Sequence, residues 1–126
     1  NSSGMCAFGL CATDPLSVPE FLSAVTGWDY GLNECFEVGE RITNLRHAFN
    51  LREGLNPLEW ELPGRAYGDP PHEEGPLAGI TVDVDTLVDG FFEEMQWDKK
   101  TGMVSLSRLR ELGMDDVADT LEGLQS

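Results

Sequence analysis

Apolar residues recur every three or four positions along much of this 126-residue chain, which is the spacing of one face of an α-helix. The longest such pattern runs over residues 32–53, where the charged residues fall mostly off the apolar face. Its apolar positions are Leu32, Cys35, Phe36, Gly39, Ile42, Leu45 and Phe49. Glycine costs a helix about 1 kcal/mol relative to alanine, so we expect another backbone to approach Gly39 closely. The pattern predicts a long amphipathic helix.

Shorter helices are predicted by the same spacing together with residues that cap helix ends. They cover residues 17–27, 84–95, 105–112 and 115–124. Asp83, Ser105 and Asp115 stand where a side-chain oxygen can accept a hydrogen bond from the first turn of the helix that follows. With the long helix, these segments predict about five helices.

Three of the predicted helices end in the same way, at a glycine followed by a large apolar residue. The pairs are Gly27-Trp28, Gly54-Leu55 and Gly113-Met114. Glycine readily adopts the left-handed backbone that ends a helix, and the next apolar side chain can fold back on the last turn. No alternating strand pattern and no internal repeat occurs, so the predicted fold class is all-α and multihelical.

Residues 55–82 differ from the rest of the chain because they are rich in proline and glycine. An irregular connection of this length is unusual inside a compact domain. Its apolar residues, which include Trp60 and Tyr67, argue against a disordered linker. We expect an ordered strap that packs over another part of a larger protein.

The chain carries 8 basic and 23 acidic residues, for a formal net charge of −15. This charge repels phosphate groups, so nucleic acid and anionic membranes are not expected partners. No apolar run is long enough for a membrane helix, and no secretory leader is recognisable. Three cysteines leave one unpaired, which favours a reducing, cytoplasmic location over a disulfide framework.

Self-contained catalytic or metal sites are not indicated by the spacing of reactive residues. Zinc-type pairs and a phosphate-binding glycine loop are absent from the sequence. Cys6 and Cys11 are separated by four residues, but the C-x-x-C that follows in plant-type ferredoxins is missing. A Cys-His pair with His47 or His72 stays open, but no local signature supports it, and a small buried apolar residue is the favoured interpretation of Cys11 and Cys35.

The stretch Asn1-Ser2-Ser3-Gly4-Met5-Cys6 resembles the second D-x-x-G-L-C motif of the tungsten-dependent aldehyde:ferredoxin oxidoreductases. Further segments resemble that family in the same order along the chain. They are Ala24-Val25-Thr26-Gly27-Trp28-Asp29, Glu37-Val38-Gly39-Glu40-Arg41-Ile42, Phe49-Asn50-Leu51-Arg52-Glu53-Gly54, Leu62-Pro63 with Arg65, Glu74-Gly75-Pro76, Trp97-Asp98 and Glu111-Leu112-Gly113. The resemblance covers nearly the whole chain.

The resemblance implies that residues 1–126 form a single domain, the carboxy-terminal helical domain of a larger oxidoreductase. Members of the family bind tungsten through two pyranopterins of the molybdopterin type, beside a [4Fe–4S] cluster. By resemblance, Cys6 is the fourth cluster ligand, the side chain of Asn1 and the backbone of Met5 contact pterin, and three cluster cysteines lie in preceding domains. Asn1 stands where the family has aspartate, so a charged contact to pterin becomes a neutral and weaker one.

The function implied for the parent enzyme is oxidation of an aldehyde to its carboxylate, with electrons passing through the cluster to ferredoxin. The fragment by itself is expected to be inactive and to bind none of these cofactors. An alternative is a stand-alone acidic helical module that binds a protein partner and has no redox role. A third hypothesis is that Cys6 and Cys11 bind a stray metal or form a local disulfide.

Overall fold

The computed structural model describes residues 3–12, 14 and 17–124. Its helices are α1 (Ala7–Leu10), α2 (Ser17–Thr26), α3 (Leu32–Arg52), α4 (Gly64–Tyr67), α5 (Val84–Glu94), α6 (Leu106–Glu111) and α7 (Asp115–Leu124). Across these described ranges there is no β-strand, only a single bridge between His72 and Ala78. None of the described helices is both long enough and apolar enough to cross a membrane. The predicted all-α class is confirmed.

The five helices expected from apolar spacing correspond to α2, α3, α5, α6 and α7, with ends that differ by no more than one residue. The single-turn helices α1 and α4 were not predicted. Four residues are too few to establish a 3.6-residue period, so such turns leave little trace in the sequence.

Two of the three predicted caps, Asp83 and Ser105, are confirmed, whereas Asp115 is itself the first residue of α7 and not its cap. The Thr86 backbone N–H donates to Asp83 Oδ1 over 3.1 Å at the start of α5, and the Arg108 N–H donates to Ser105 Oγ over 3.2 Å at the start of α6. Gly27, Gly54 and Gly113 all have φ between 69° and 79°, the left-handed region. After α6, the Met114 N–H donates back to the carbonyl of Leu109 over 2.9 Å, which closes the helix end.

The chain forms two compact units, Asn1–Ile42 and Thr43–Ser126. Within the described part of the first unit, Pro19 is the buried residue. Several large apolar side chains of this unit are exposed, namely Phe8, Phe21, Val25, Trp28 and Phe36. Its local order comes from hydrogen bonds such as those of Ser23 Oγ with the backbone N–H and carbonyl of Tyr30, both 3.1 Å. The described part of this unit therefore has almost no hydrophobic core of its own.

The second unit has a core built by α3, α5, α6, α7 and the loop between α5 and α6. Its buried apolar residues are Ala48, Phe92, Met95, Trp97, Val104, Leu109, Leu112, Met114, Ala118 and Leu121. At the surface, the Arg110 guanidinium lies 2.9 Å from both Asp119 and Glu122, and so joins α6 to α7. Such exposed pairs contribute little, and burial of the apolar residues stabilises this unit.

The buried face of α3 is not the apolar one. Within the second unit, α3 buries Asn44, His47 and Ala48, while Leu45 and Phe49 are 51% and 53% exposed. An apolar stripe ordinarily faces the core, but here the two polar residues find partners inside. The close backbone approach expected at Gly39 is also not found, since an added Cβ there would meet no described atom within 4 Å.

The strap over residues 55–82 is ordered, as predicted. It contains a 3-10 turn at Pro57–Glu59 and the single-turn helix α4. The Val82 N–H donates to the Tyr67 carbonyl over 2.8 Å, and Asn56 Nδ2 donates to the Thr101 carbonyl over 2.7 Å. Backbone bonds hold the strap while its larger apolar side chains stay exposed, among them Leu58, Trp60, Leu62 and Leu77.

Candidate functional site

The candidate site is the segment that leads into α1. Gly4 has φ of +78°, a left-handed conformation that glycine adopts without the steric cost borne by other residues. The Met5 backbone N–H approaches Ser3 Oγ at 3.4 Å, and Met5 is half-buried. The chain then reaches Cys6, directly before the first residue of α1. The glycine turn thus sets the direction in which the Cys6 segment enters the helix.

The Cys6 thiol is exposed and lies at the amino-terminal end of α1. Hydrogen bonds from the backbone amides of Gly9 and, less strongly, Phe8 lower the pKa of this thiol, because they stabilise the thiolate. The thiolate is the form of cysteine that binds metals. Phe8, beside it, is 88% exposed. Cys6 therefore combines solvent access with a local environment that favours the ligand form.

The structure gives less information about the other candidate residues. Asn1, the predicted pterin contact, lies outside the described residues. Cys11 is an exposed free thiol in the turn after α1, and Cys35 is a half-buried free thiol on α3. Of the three residues predicted to contact cofactors, the structure thus describes Met5 and Cys6, which are adjacent.

The described residues supply one thiolate at this site and not a complete ligand set. No group of three or more His, Cys, Asp or Glu side chains within the described part of the chain is placed to hold a metal ion. An iron–sulfur cluster of the ferredoxin type is held by four cysteine thiolates. Cys6 fits such a cluster as a single, accessible ligand, and the remaining thiolates would have to come from elsewhere.

Both histidines lie in the second unit, and they have different surroundings there. His47 Nε2 lies 2.7 Å from the Gly102 carbonyl, and its ring stacks on Trp97 with centroids 3.8 Å apart. Burial lowers the pKa of His47, partly opposed by the Gly102 hydrogen bond, so the neutral ring is favoured. His72 is exposed on the strap. His47 is thus engaged in the packing of the second unit.

Sequence reasoning missed the two amides that stabilise the Cys6 thiolate. They belong to α1, whose four residues show no period. The only indication of helix α1 in the sequence is that Cys6 precedes a short stretch without proline, where a helix can begin. No capping residue marks that beginning.

Comparison with known proteins agrees with the resemblance carried by the motifs. The sequence model of the family described as "Aldehyde ferredoxin oxidoreductase, domains 2 & 3" matches residues 1–114. Among its relatives, a tungsten-containing aldehyde ferredoxin oxidoreductase of Pyrococcus horikoshii is 30% identical over 119 residues, or 92% of this chain and 19% of the relative. The enzyme of the same name from Pyrococcus furiosus is 32% identical over 117 residues, or 90% of this chain and 19% of the relative.

The match covers this chain almost completely, but the chain spans only about a fifth of the length of the relatives it matches. The family match includes Gly4, Met5 and Cys6, the residues whose geometry defines the candidate site. The chain belongs to the aldehyde ferredoxin oxidoreductase family, to the region that the family model describes as domains 2 and 3.

Proposed function

We propose that residues 1–126 are the carboxy-terminal helical domain of a tungsten-dependent aldehyde:ferredoxin oxidoreductase. In this proposal, the chain acts as one domain of a longer polypeptide and is inactive by itself. The observation that carries it is the placement of Cys6, a free and exposed thiol with a lowered pKa, inside the segment that matches the family.

Each residue of the candidate segment has a specific task in the proposal. The Cys6 thiolate is one ligand of a [4Fe–4S] cluster, and the amides of Gly9 and Phe8 favour its deprotonated form. Gly4 lets the backbone turn next to the cofactor without a side chain in the way. The Met5 backbone and the Asn1 amide contact the pterin.

When bound, the tungsten–pterin centre and the cluster supply the two-electron oxidation of an aldehyde to a carboxylate and the transfer of those electrons to ferredoxin. In the proposal, this chain helps to hold the cluster and the pterin and to shield them from water. Phe8, which is 88% exposed next to Cys6, supports that role, because an apolar side chain there can exclude water once a cofactor-bearing domain lies against it.

The test is substitution of Cys6 in the complete polypeptide. We expect Cys6→Ala to lose cluster iron or to change the electron paramagnetic resonance spectrum of the reduced cluster, together with aldehyde oxidation. Cys11→Ala is the matched control, because Cys11 is also an exposed thiol five positions away. Equal iron content and an unchanged spectrum in Cys6→Ala would contradict the proposal, provided that both variants keep the circular dichroism of the parent.

A second candidate function is a stand-alone acidic module that binds a protein partner. The replacement of the family's aspartate by Asn1 and the net charge of −15 favour it. The coding sequence before Asn1 separates the two, since the cofactor enzyme requires an in-frame C-x-x-C-x-x-x-C segment upstream and the module does not.

A further inference from the structure

One surface of the second unit is an open apolar groove between the strap and α5. It has a volume of about 360 Å³, and its walls include Leu62, Tyr67, Val82, Leu87, Val88 and Phe91. The strap side is held by the hydrogen bond from the Val82 N–H to the Tyr67 carbonyl. The groove is therefore formed by ordered backbone on both sides.

The helix α5 uses only part of its apolar face within this unit. Phe92 and Met95 are buried in the core, at 5% and 9% exposure. Leu87, Val88 and Phe91 are 62%, 42% and 47% exposed on the groove side. A contiguous set of exposed apolar side chains in a soluble fold commonly marks an interaction surface.

Acidic side chains border this apolar surface. With 3.6 residues per turn, Asp85 falls on one side of the exposed stripe of α5 and Glu94 on the other. Across residues 57–94, which contain the whole groove, Arg65 is the one lysine or arginine among many acidic residues. The groove thus has an apolar floor and, along α5, an acidic rim, while Arg65 lies on the strap side.

We infer that this groove binds a segment of the same polypeptide from outside residues 1–126, with an apolar ridge flanked by lysine or arginine. The inference rests on the proposed function. About four-fifths of the length of each matched relative lies outside the match, which supplies chain to cover the groove. A second copy of this chain is a poor occupant, because two acidic rims and two net charges of −15 repel each other.

The first test is carbene footprinting with a photoactivated diazirine, read by mass spectrometry on the complete polypeptide and on the 126-residue chain. We expect labelling of Leu87, Val88 and Phe91 to fall at least fivefold in the complete polypeptide. The buried Leu109 defines the background in both samples. Labelling of the three groove residues at the level of the 126-residue chain would overturn the inference.

The second test identifies the occupant with a zero-length carbodiimide cross-linker, which joins carboxylates to lysines. We expect Asp85 or Glu94 to cross-link to a lysine outside residues 1–126. Mixing unlabelled and ¹⁵N-labelled polypeptide separates links within one molecule from links between copies. Cross-links that join two copies through this rim would reject the inference in favour of a dimer.

The third test measures how a charge placed in the groove changes the stability of the protein to urea. Leu87→Glu should leave the urea midpoint of the 126-residue chain unchanged, because the side chain is largely exposed there, and should lower the midpoint of the complete polypeptide. Leu124→Glu is the matched control on α7, where Leu124 is 56% exposed. An unchanged midpoint in the complete polypeptide overturns the inference. A failure of the proposed function is distinguished from a failure of this inference by Cys6→Ala, which would then retain its cluster.

Discussion

The indole nitrogen of Trp97 donates a 2.8 Å hydrogen bond to Asn44 Oδ1, inside the core of the second unit. Asn44 lies on α3 and is 2% exposed, and Trp97 follows α5 and is 9% exposed. His47, one turn from Asn44, stacks on the same indole ring. A polar side chain on α3 is therefore what fixes Trp97 among the apolar residues of the core.

We expect Asn44→Ala to destabilise the protein, because it leaves the buried Trp97 N–H without its acceptor. An unsatisfied buried donor costs about 1–3 kcal/mol, and the space left by the side chain adds to this. Urea denaturation followed by tryptophan fluorescence measures the change. Asn33→Ala is the control, since Asn33 is exposed on the same helix. Equal stability of the two variants would show that the Asn44–Trp97 bond contributes nothing.

The burial of His47 predicts a pH dependence of stability. The pKa of His47 is lowered in the folded protein by burial, whereas the unfolded chain has the ordinary histidine value of about 6.5. As the pH falls below about 6.5, the unfolded state binds a proton that the folded state does not, so the free energy of unfolding decreases. The loss ends once the folded protein also protonates His47.

Urea titrations between pH 7.5 and pH 5 test this with two matched variants. His47→Gln should remove the histidine contribution to the slope of stability against pH. His72→Gln should retain it, because His72 is exposed. Identical slopes for the parent and His47→Gln would contradict the assignment of the neutral state to His47.

Gln96 follows Met95, the carboxy-terminal cap of α5, and has φ of +54°, in the left-handed region where side chains other than glycine are strained. We expect Gln96→Gly to raise the free energy of unfolding by about 0.5–1 kcal/mol, since glycine removes that strain. Gly113→Ala is the opposite change at φ of +69°, where an added Cβ would meet no described atom within 4 Å. It should cost about 1 kcal/mol, and the same sign for both variants would refute the backbone explanation.

The lowered pKa of Cys6 predicts that its thiolate forms at a lower pH than that of an ordinary cysteine. In a variant with Cys11→Ser and Cys35→Ser, the alkylation rate of Cys6 should rise with pH at a lower midpoint than for a free peptide of residues 1–12. The cause is stabilisation of the thiolate by the Gly9 and Phe8 amides, which the peptide does not hold in place. A midpoint equal to that of the peptide would show that the helical turn has no effect.

The proposed pterin contact of Asn1 predicts a gain from Asn1→Asp in the complete polypeptide. A carboxylate makes a stronger, charge-assisted hydrogen bond to an amino group than a neutral amide does. We expect more pterin to be retained after gel filtration, measured by fluorescence of the oxidised, released cofactor. Ser2→Asp is the control with the same added charge at the next position. Equal retention in both variants would argue against a contact at Asn1.

Local sequence determined the helical segments and their ends. Asp83 and Ser105 cap α5 and α6, and Gly113 ends α6, because each interaction joins residues at most five positions apart. The candidate segment was chosen from the motif residues Gly4-Met5-Cys6 alone, and the structure gives Gly4 the left-handed backbone that glycine allows. These features need no knowledge of what packs against them.

Only the tertiary structure decided which faces of those helices are buried. The apolar pattern of α3 pointed to Leu45 and Phe49, but the core received Asn44 and His47, whose partners Trp97 and Gly102 lie 53 and 55 residues further along the chain. A buried polar group is tolerated when a distant donor or acceptor satisfies it, and helical periodicity carries no information about such a partner. The exposed apolar face of α5 could not be predicted for the same reason, because the periodic pattern shows where apolar residues lie and not what covers them.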